Sequence, residues 1–135
     1  MSVSELADLR LTSVPDAMAL LAGLWRTGLE LPVLFVVLDH ERAIVDIYPL
    51  SGVEESQVPE LLEPLLVRHA DDGQWVLVVT DRTSEVPVVR ADDELTWQEW
   101  SDLVAARGLE LLDWFVRVDC YAFSVAEFAP TPSHW

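Results

Sequence analysis

The stretch VLVVTDRTSEVPVVRADDELT, residues 76–96, carries the strongest fold signal in this sequence. It begins with the unbroken apolar run Val76–Val79, passes through a polar loop and starts a helix near Asp92 or Asp93. An unbroken apolar run predicts a strand that is covered on both faces, as in the interior of a sheet flanked by helices. Active sites are often mounted on the loop that follows such a strand. This loop contains no His, Cys or Gly, so the usual catalytic side chains are missing from it.

Hydrophobic periodicity extends the pattern in both directions from this stretch. Helices are predicted over residues 13–28, from near Pro59, and from Asp92 or Asp93 to Gly108. Strands are predicted over residues 33–38, 43–48, 74–81, 109–119 and 120–128. We therefore expect one α/β (α+β) domain over residues 1–128, a mixed β-sheet flanked by about three helices. Residues 129–135 are predicted to be a frayed C-terminal tail.

The charge balance is strongly acidic. Asp and Glu number 24 against 8 arginines, lysine is absent, and the formal net charge is −16. Binding to nucleic acid or to an anionic membrane surface needs positive charge, so both are disfavoured. A basic protein partner would be attracted, although scattered carboxylates that keep an apolar domain soluble are the simpler interpretation.

The remaining composition indicates a bacterial cytoplasmic protein. Cys120 is the single cysteine, so an internal disulfide is impossible. The first ten residues lack the basic and apolar regions of a signal peptide, and no apolar run approaches the ~20 residues of a membrane helix. Arginine without lysine, together with abundant Ala, Val and Leu, is typical of high-GC bacterial coding.

Residue types with catalytic or metal-binding chemistry form no recognisable site. His40, His69 and His134 lack the spacing that converges on one zinc ion, and Cys120 has no His nearby in sequence. We therefore predict no metal and no cofactor. Five of the six tryptophans fall on or beside apolar faces and are predicted to be core: Trp25, Trp75, Trp97, Trp100 and Trp114. Trp97 and Trp100 could instead anchor a partner.

The second half of the chain resembles a known family. The run ADDELTWQEWSDLVAARGLELLDWFVRVDCYAFSVAEF, Ala91–Phe128, is similar to the C-terminal half of the RadC-type JAB/MPN domain of the JAMM metalloprotease-like superfamily. Leu111–Asp113 match its Leu-Leu-Asp strand, and Ser124 and Glu127 match its closing strand. Upstream, VLFVVLD and the later Ser-Gly pair resemble the family's first hairpin and turn, so that the resemblance covers about residues 15–128.

The resemblance gives the opening loop an interpretation. Active members end the strand with H-x-H-P, followed after seven residues by S-x-x-D; the two His and the Asp hold zinc, and the Ser helps to place the oxyanion. On this chain Thr80 and Arg82 stand at the two His, Arg90 at the Ser and Asp93 at the Asp. Glu30 lies one residue from the place of the family's general base. The resemblance thus implies a degenerate member that has lost the H-x-H zinc ligands.

A permanent cation at a ligand position has a structural consequence. We expect Arg82 to pair with Asp93 or Asp81 and to take over the positive charge of the lost metal. The implied function is that of a catalytically inactive, metal-free domain that serves as a protein-interaction or scaffold module, with Arg82, Trp97 and Trp100 as candidate partner-binding residues. Two alternatives stay open. One is a small acidic neutraliser of a basic partner, such as an immunity protein or a nucleic-acid mimic, and the other is a hydrolase with unrecognised catalytic residues.

Overall fold

The order of helices and strands follows the predicted order. The computed structural model describes residues 9–26, 33–82, 91–118, 121–127 and 134–135. Its elements are α1 (Val14–Arg26), β1 (Val33–Leu38), β2 (Ile44–Leu50), α2 (Val58–Arg68), β3 (Trp75–Asp81), α3 (Asp93–Ala106), β4 (Glu110–Val118) and β5 (Tyr121–Ser124). A single 3-10 turn, Glu55–Gln57, leads into α2.

The strands form one mixed sheet in the order β2-β1-β3-β4-β5. Strand β1 pairs antiparallel with β2 and β3, β3 pairs parallel with β4, and β4 pairs antiparallel with β5. The predicted interior position of the strand near residues 74–80 is confirmed, since β3 lies between β1 and β4. The predicted α/β class with a mixed sheet and flanking helices is confirmed as well.

Both faces of the central strands are covered, which explains their unbroken apolar sequences. Side chains of β1 alternate between two buried clusters: Phe35 belongs to the cluster that includes the buried residues of α2 and α3, whereas Leu34 belongs to the cluster of α1. The same alternation continues on β3, where Val78 joins the first cluster and Val79 the second. Helices therefore lie on both sides of the sheet. None of the helices in the described segments has the length and apolar character needed to cross a bilayer.

The predicted frayed tail is wrong for the last two residues. The Trp135 indole N–H donates to Asp113 Oδ2 at 2.8 Å, and its ring lies 6.3 Å from the Phe115 ring between centroids. The His134 carbonyl accepts a hydrogen bond from Arg42 Nη2. These contacts hold the end of the chain because a large indole gains from leaving water and the buried carboxylate needs donors. Residues 128–133 lie outside the described residues.

Candidate functional site

Four polar side chains meet where β3 ends and α3 begins. Thr80 lies near the end of β3 and Arg82 directly follows the strand. Asp93 is the first residue of α3, and Glu55 comes from the 3-10 turn before α2. We call these four residues the Arg82 cluster. Strand β3 lies in the middle of the sheet and is flanked there by the α2 and α3 layer, so its end delivers these side chains into a sheltered position.

Arg82 is the centre of the cluster. Only 2% of its surface is exposed. Its Nη1 and Nη2 donate to the two carboxylate oxygens of Asp93 at 2.9 and 2.8 Å. Its Nε and Nη2 donate to the carboxylate of Glu55, at 2.9 and 2.8 Å in the shorter contacts. The guanidinium is therefore gripped by two carboxylates in the paired geometry that gives strong, directional ion pairs.

Thr80 connects the ion pair to the core. Its Oγ1 donates to Glu55 Oε2 at 2.6 Å and accepts from the indole N–H of Trp114 at 2.9 Å. Trp114 is fully buried, and its ring lies 5.2 Å from the guanidinium carbon of Arg82 and 4.5 Å from the Trp100 ring, between centroids in the second case. A single hydroxyl thus satisfies a buried indole and orients one of the carboxylates.

The electrostatic balance of the cluster keeps Arg82 charged. Burial by itself lowers the pKa of a guanidinium, but the hydrogen bonds and charges of Asp93 and Glu55 outweigh it and raise the pKa of Arg82 above its ordinary value. One permanent cation therefore faces two carboxylates. The cluster has a formal charge of 1 − 2 = −1, summed over Arg82, Glu55 and Asp93.

The predicted contact between Arg82 and Asp93 is confirmed. Asp81, the alternative partner, instead lies 3.9 Å from Arg117. Thr80 also takes part, through Glu55 rather than by touching Asp93 directly. Glu30, Arg90 and Cys120 lie outside the described residues.

Glu55 is the member of the cluster that sequence reasoning missed. It lies in the segment SGVEESQVPE, which reads simply as turn residues before a helix. The residue is separated from Arg82 by 27 positions, and nothing in its local pattern distinguishes it from the neighbouring Glu54. The one available signal was indirect: a buried arginine facing a single aspartate needs further acceptors.

Trp97 and Trp100 occupy the core, as their apolar positions predict, and the alternative that they anchor a partner is wrong. Trp97 is 6% exposed and Trp100 is 3% exposed, and both pack in the cluster beneath α2 and α3. The spacing of three residues puts both rings on the inward face of α3, where they bury a large apolar area. Arg82 is equally buried, so these three residues present little direct surface to a partner.

An open cleft of about 250 Å³ borders the cluster. Its lining includes Glu55, Arg82 and Asp93 from the cluster, with Asp92 and Trp100 beside them. Within the described residues, no group of three or more His, Cys, Asp or Glu side chains is arranged to hold a metal ion. The carboxylates of Glu55 and Asp93 are bound to the guanidinium of Arg82, whose positive charge would repel a metal cation.

Comparison with known proteins assigns no relative to this chain. No model of a known protein family matches it, and no curated protein sequence matches it either. The resemblance to the RadC-type JAB/MPN domain therefore rests on the residues of this chain alone.

Proposed function

We propose that this protein is a catalytically inactive, metal-free JAB/MPN-like domain that acts as a protein-interaction or scaffold module in the bacterial cytoplasm. The observation that supports the proposal is the ion pair between Arg82 and Asp93. The resemblance assigns these positions to the second His and to the Asp of a zinc site. Side chains that bind one metal ion must converge on one point. In this chain the Asp93 carboxylate and the Arg82 guanidinium do converge, because they are hydrogen-bonded to each other.

The third position of the proposed ancestral site fits the same arrangement. Thr80, at the place of the first His, lies close enough to share Glu55 with Arg82. In the family these positions surround a zinc ion. In this chain they are grouped around the guanidinium of Arg82, a monovalent cation that is part of the chain itself. A zinc hydrolase needs about three protein ligands and a water activated by the metal, and this donor set supplies one carboxylate from the family's pattern.

Restoring the two histidines tests this proposal. We expect Arg82→His combined with Thr80→His to take up zinc, because two imidazoles would then face Asp93 across the space of the guanidinium. We expect little hydrolysis, because Arg90 still occupies the position of the family's Ser. The measurement is zinc content after dialysis, with circular dichroism to verify folding.

The matched control adds Asp93→Asn to the same double variant and should lose most of the zinc. Two results would contradict the proposal. One is about one zinc per chain in the purified wild-type protein, and the other is a folded double variant that retains no zinc.

The acidic neutraliser is the weaker candidate. Its support is the net charge of −16, but the exposed carboxylates of the described residues are spread over several elements. They occur in the β1–β2 turn at Glu41, on α2 at Glu60, after α2 at Asp71 and on α3 at Asp102. Such a distribution is typical of a solvated surface rather than of one anionic binding face.

A further inference from the structure

A groove of about 210 Å³ lies between the β1–β2 hairpin and α2, apart from the Arg82 cluster. It is formed chiefly by Phe35, Tyr48, Leu50, Leu61, Leu65 and Arg68. We call it the β2–α2 groove. Its lining is apolar except for the side chains of Tyr48 and Arg68. A concave apolar site with a few polar or charged groups is the usual form of a binding pocket.

The positive charge of Arg68 indicates which kind of group the groove binds. Arg68 is exposed in the last turn of α2, and among the described residues it has no carboxylate partner. Arg10, Arg82, Arg107 and Arg117 each lie within 4.0 Å of an Asp or Glu. Arg26 and Arg42 have no such partner among the described residues either, but of these three arginines it is Arg68 that lines the groove. In a chain with three acidic residues for every arginine, a guanidinium beside an apolar groove and without an internal partner is suited to a carboxylate supplied from outside.

Arg68 lies beside Tyr48, which is held in place by a series of side-chain contacts. Its guanidinium carbon lies 6.0 Å from the centroid of the Tyr48 ring. The Tyr48 hydroxyl is hydrogen-bonded to His69 Nε2, and His69 Nδ1 is hydrogen-bonded to Asp72 Oδ1 at 2.9 Å. His69 is buried, so this chain of contacts holds the tyrosine ring in place. Because the Tyr48 ring is held in place beside Arg68, the guanidinium loses less conformational entropy when it binds a ligand.

We propose that the β2–α2 groove binds a segment of a partner protein that presents an apolar side chain directly beside an Asp or Glu. The apolar side chain fills the groove and the carboxylate pairs with Arg68. The groove is open to solvent, so a small molecule would keep one side in water, whereas a partner segment covers that side with its own backbone. This inference rests on the proposed interaction role only in taking the occupant to be a protein.

Selection of peptides tests the proposal on the full chain. A displayed library of random seven-residue peptides is selected against the wild-type protein and against three variants. We expect wild type to enrich peptides in which an apolar residue adjoins Asp or Glu. Arg68→Gln should keep the apolar preference and lose the acidic one. Arg26→Gln, which removes an exposed arginine from the last turn of α1, is the matched control and should keep both preferences.

Pro64→Glu is the third variant. It adds a carboxylate to the groove and removes no buried side chain. Pro64 is exposed and lines the groove four residues before Arg68, so the new carboxylate would compete with the peptide for the guanidinium. For the best synthetic peptide, changing its Glu to Gln should weaken binding about 2- to 5-fold in wild type. The same change should have almost no effect in Arg68→Gln.

Each other outcome overturns the proposal in a distinct way. Peptides without an acidic preference, or no enrichment at all, remove the assigned role of Arg68. Binding of free 4-phenylbutyrate as tightly as the best peptide would make the groove a small-molecule site. A wild-type dimer in sedimentation that Pro64→Glu abolishes would make the occupant a second copy of this chain. Zinc content of the Thr80 and Arg82 variants is independent of all these readouts, so either proposal can fail alone.

Discussion

At the scale of single residues, Arg82 stands out because it is a large charged side chain that is almost fully buried. Burying a guanidinium costs several kcal/mol unless its donors are matched by acceptors. Asp93 and Glu55 provide those acceptors in paired geometry, and Thr80 donates a further hydrogen bond to Glu55. Desolvation of the three charged groups opposes their Coulomb attraction, so a buried ion pair of this kind adds less net stability than its short contacts suggest.

Arg82→Ala should lower the free energy of unfolding by about 2–4 kcal/mol, because the sheltered carboxylates of Asp93 and Glu55 then lose the guanidinium that they share. Urea denaturation measures the change. Arg107→Ala is the control, since its pair with Glu63 is between a third and a half exposed and should cost at most ~1 kcal/mol. Adding Glu55→Gln and Asp93→Asn to Arg82→Ala should recover part of the loss. Equal losses for Arg82→Ala and the control would show that the buried pair has no special energetic role.

At the scale of elements, β4 ties the last part of the chain to the sheet through Asp113. This carboxylate is fully buried and accepts hydrogen bonds from Ser124 Oγ at the end of β5, from the Trp135 indole and from the backbone N–H groups of Trp114 and Ala126. Burial raises the pKa of Asp113, and these hydrogen bonds offset the effect only in part. The Asp113 side chain therefore links β4 both to the end of β5 and to Trp135, and its carboxylate is sheltered from water.

The raised pKa of Asp113 predicts a pH dependence with a definite sign. The folded state binds this proton more tightly than the unfolded state, whose pKa is near 3.8. The contribution of Asp113 to stability is therefore complete below that value and is lost as the pH rises through the folded pKa. The free energy of unfolding of wild type minus that of Asp113→Asn should thus decrease as the pH rises from 4 toward neutrality. A difference that increases over this range would contradict the assignment.

At the scale of the whole molecule, a strongly apolar double-sided sheet is combined with a surface of one dominant sign. The core clusters lie on both faces of β1 and β3, whereas the net charge is −16. Repulsion among surface carboxylates opposes the compact state, and the apolar clusters offset it.

Added salt should therefore stabilise the protein. Raising NaCl from about 0.01 M to about 0.3 M shortens the screening length from ~30 Å to well under 10 Å and should raise the melting temperature by several degrees. Differential scanning calorimetry checks the shift. The loss caused by Arg82→Ala should stay nearly constant across this range, because buried pairs are screened much less than surface charges. A melting temperature that falls with salt would show that surface attraction outweighs repulsion.

The sequence by itself determined the order of the elements, the interior position of β3 and the mixed sheet, because apolar runs and helical periodicity are local patterns. Through the family resemblance it also indicated Asp93 or Asp81 as the partner of Arg82, and the structure has Asp93. Tertiary structure alone decided that Glu55 would join them and that Trp135 would dock on Asp113. These outcomes depend on which surfaces meet after the sheet has formed. A turn glutamate or a terminal tryptophan has the same local pattern whether it ends up in solvent or against a buried partner.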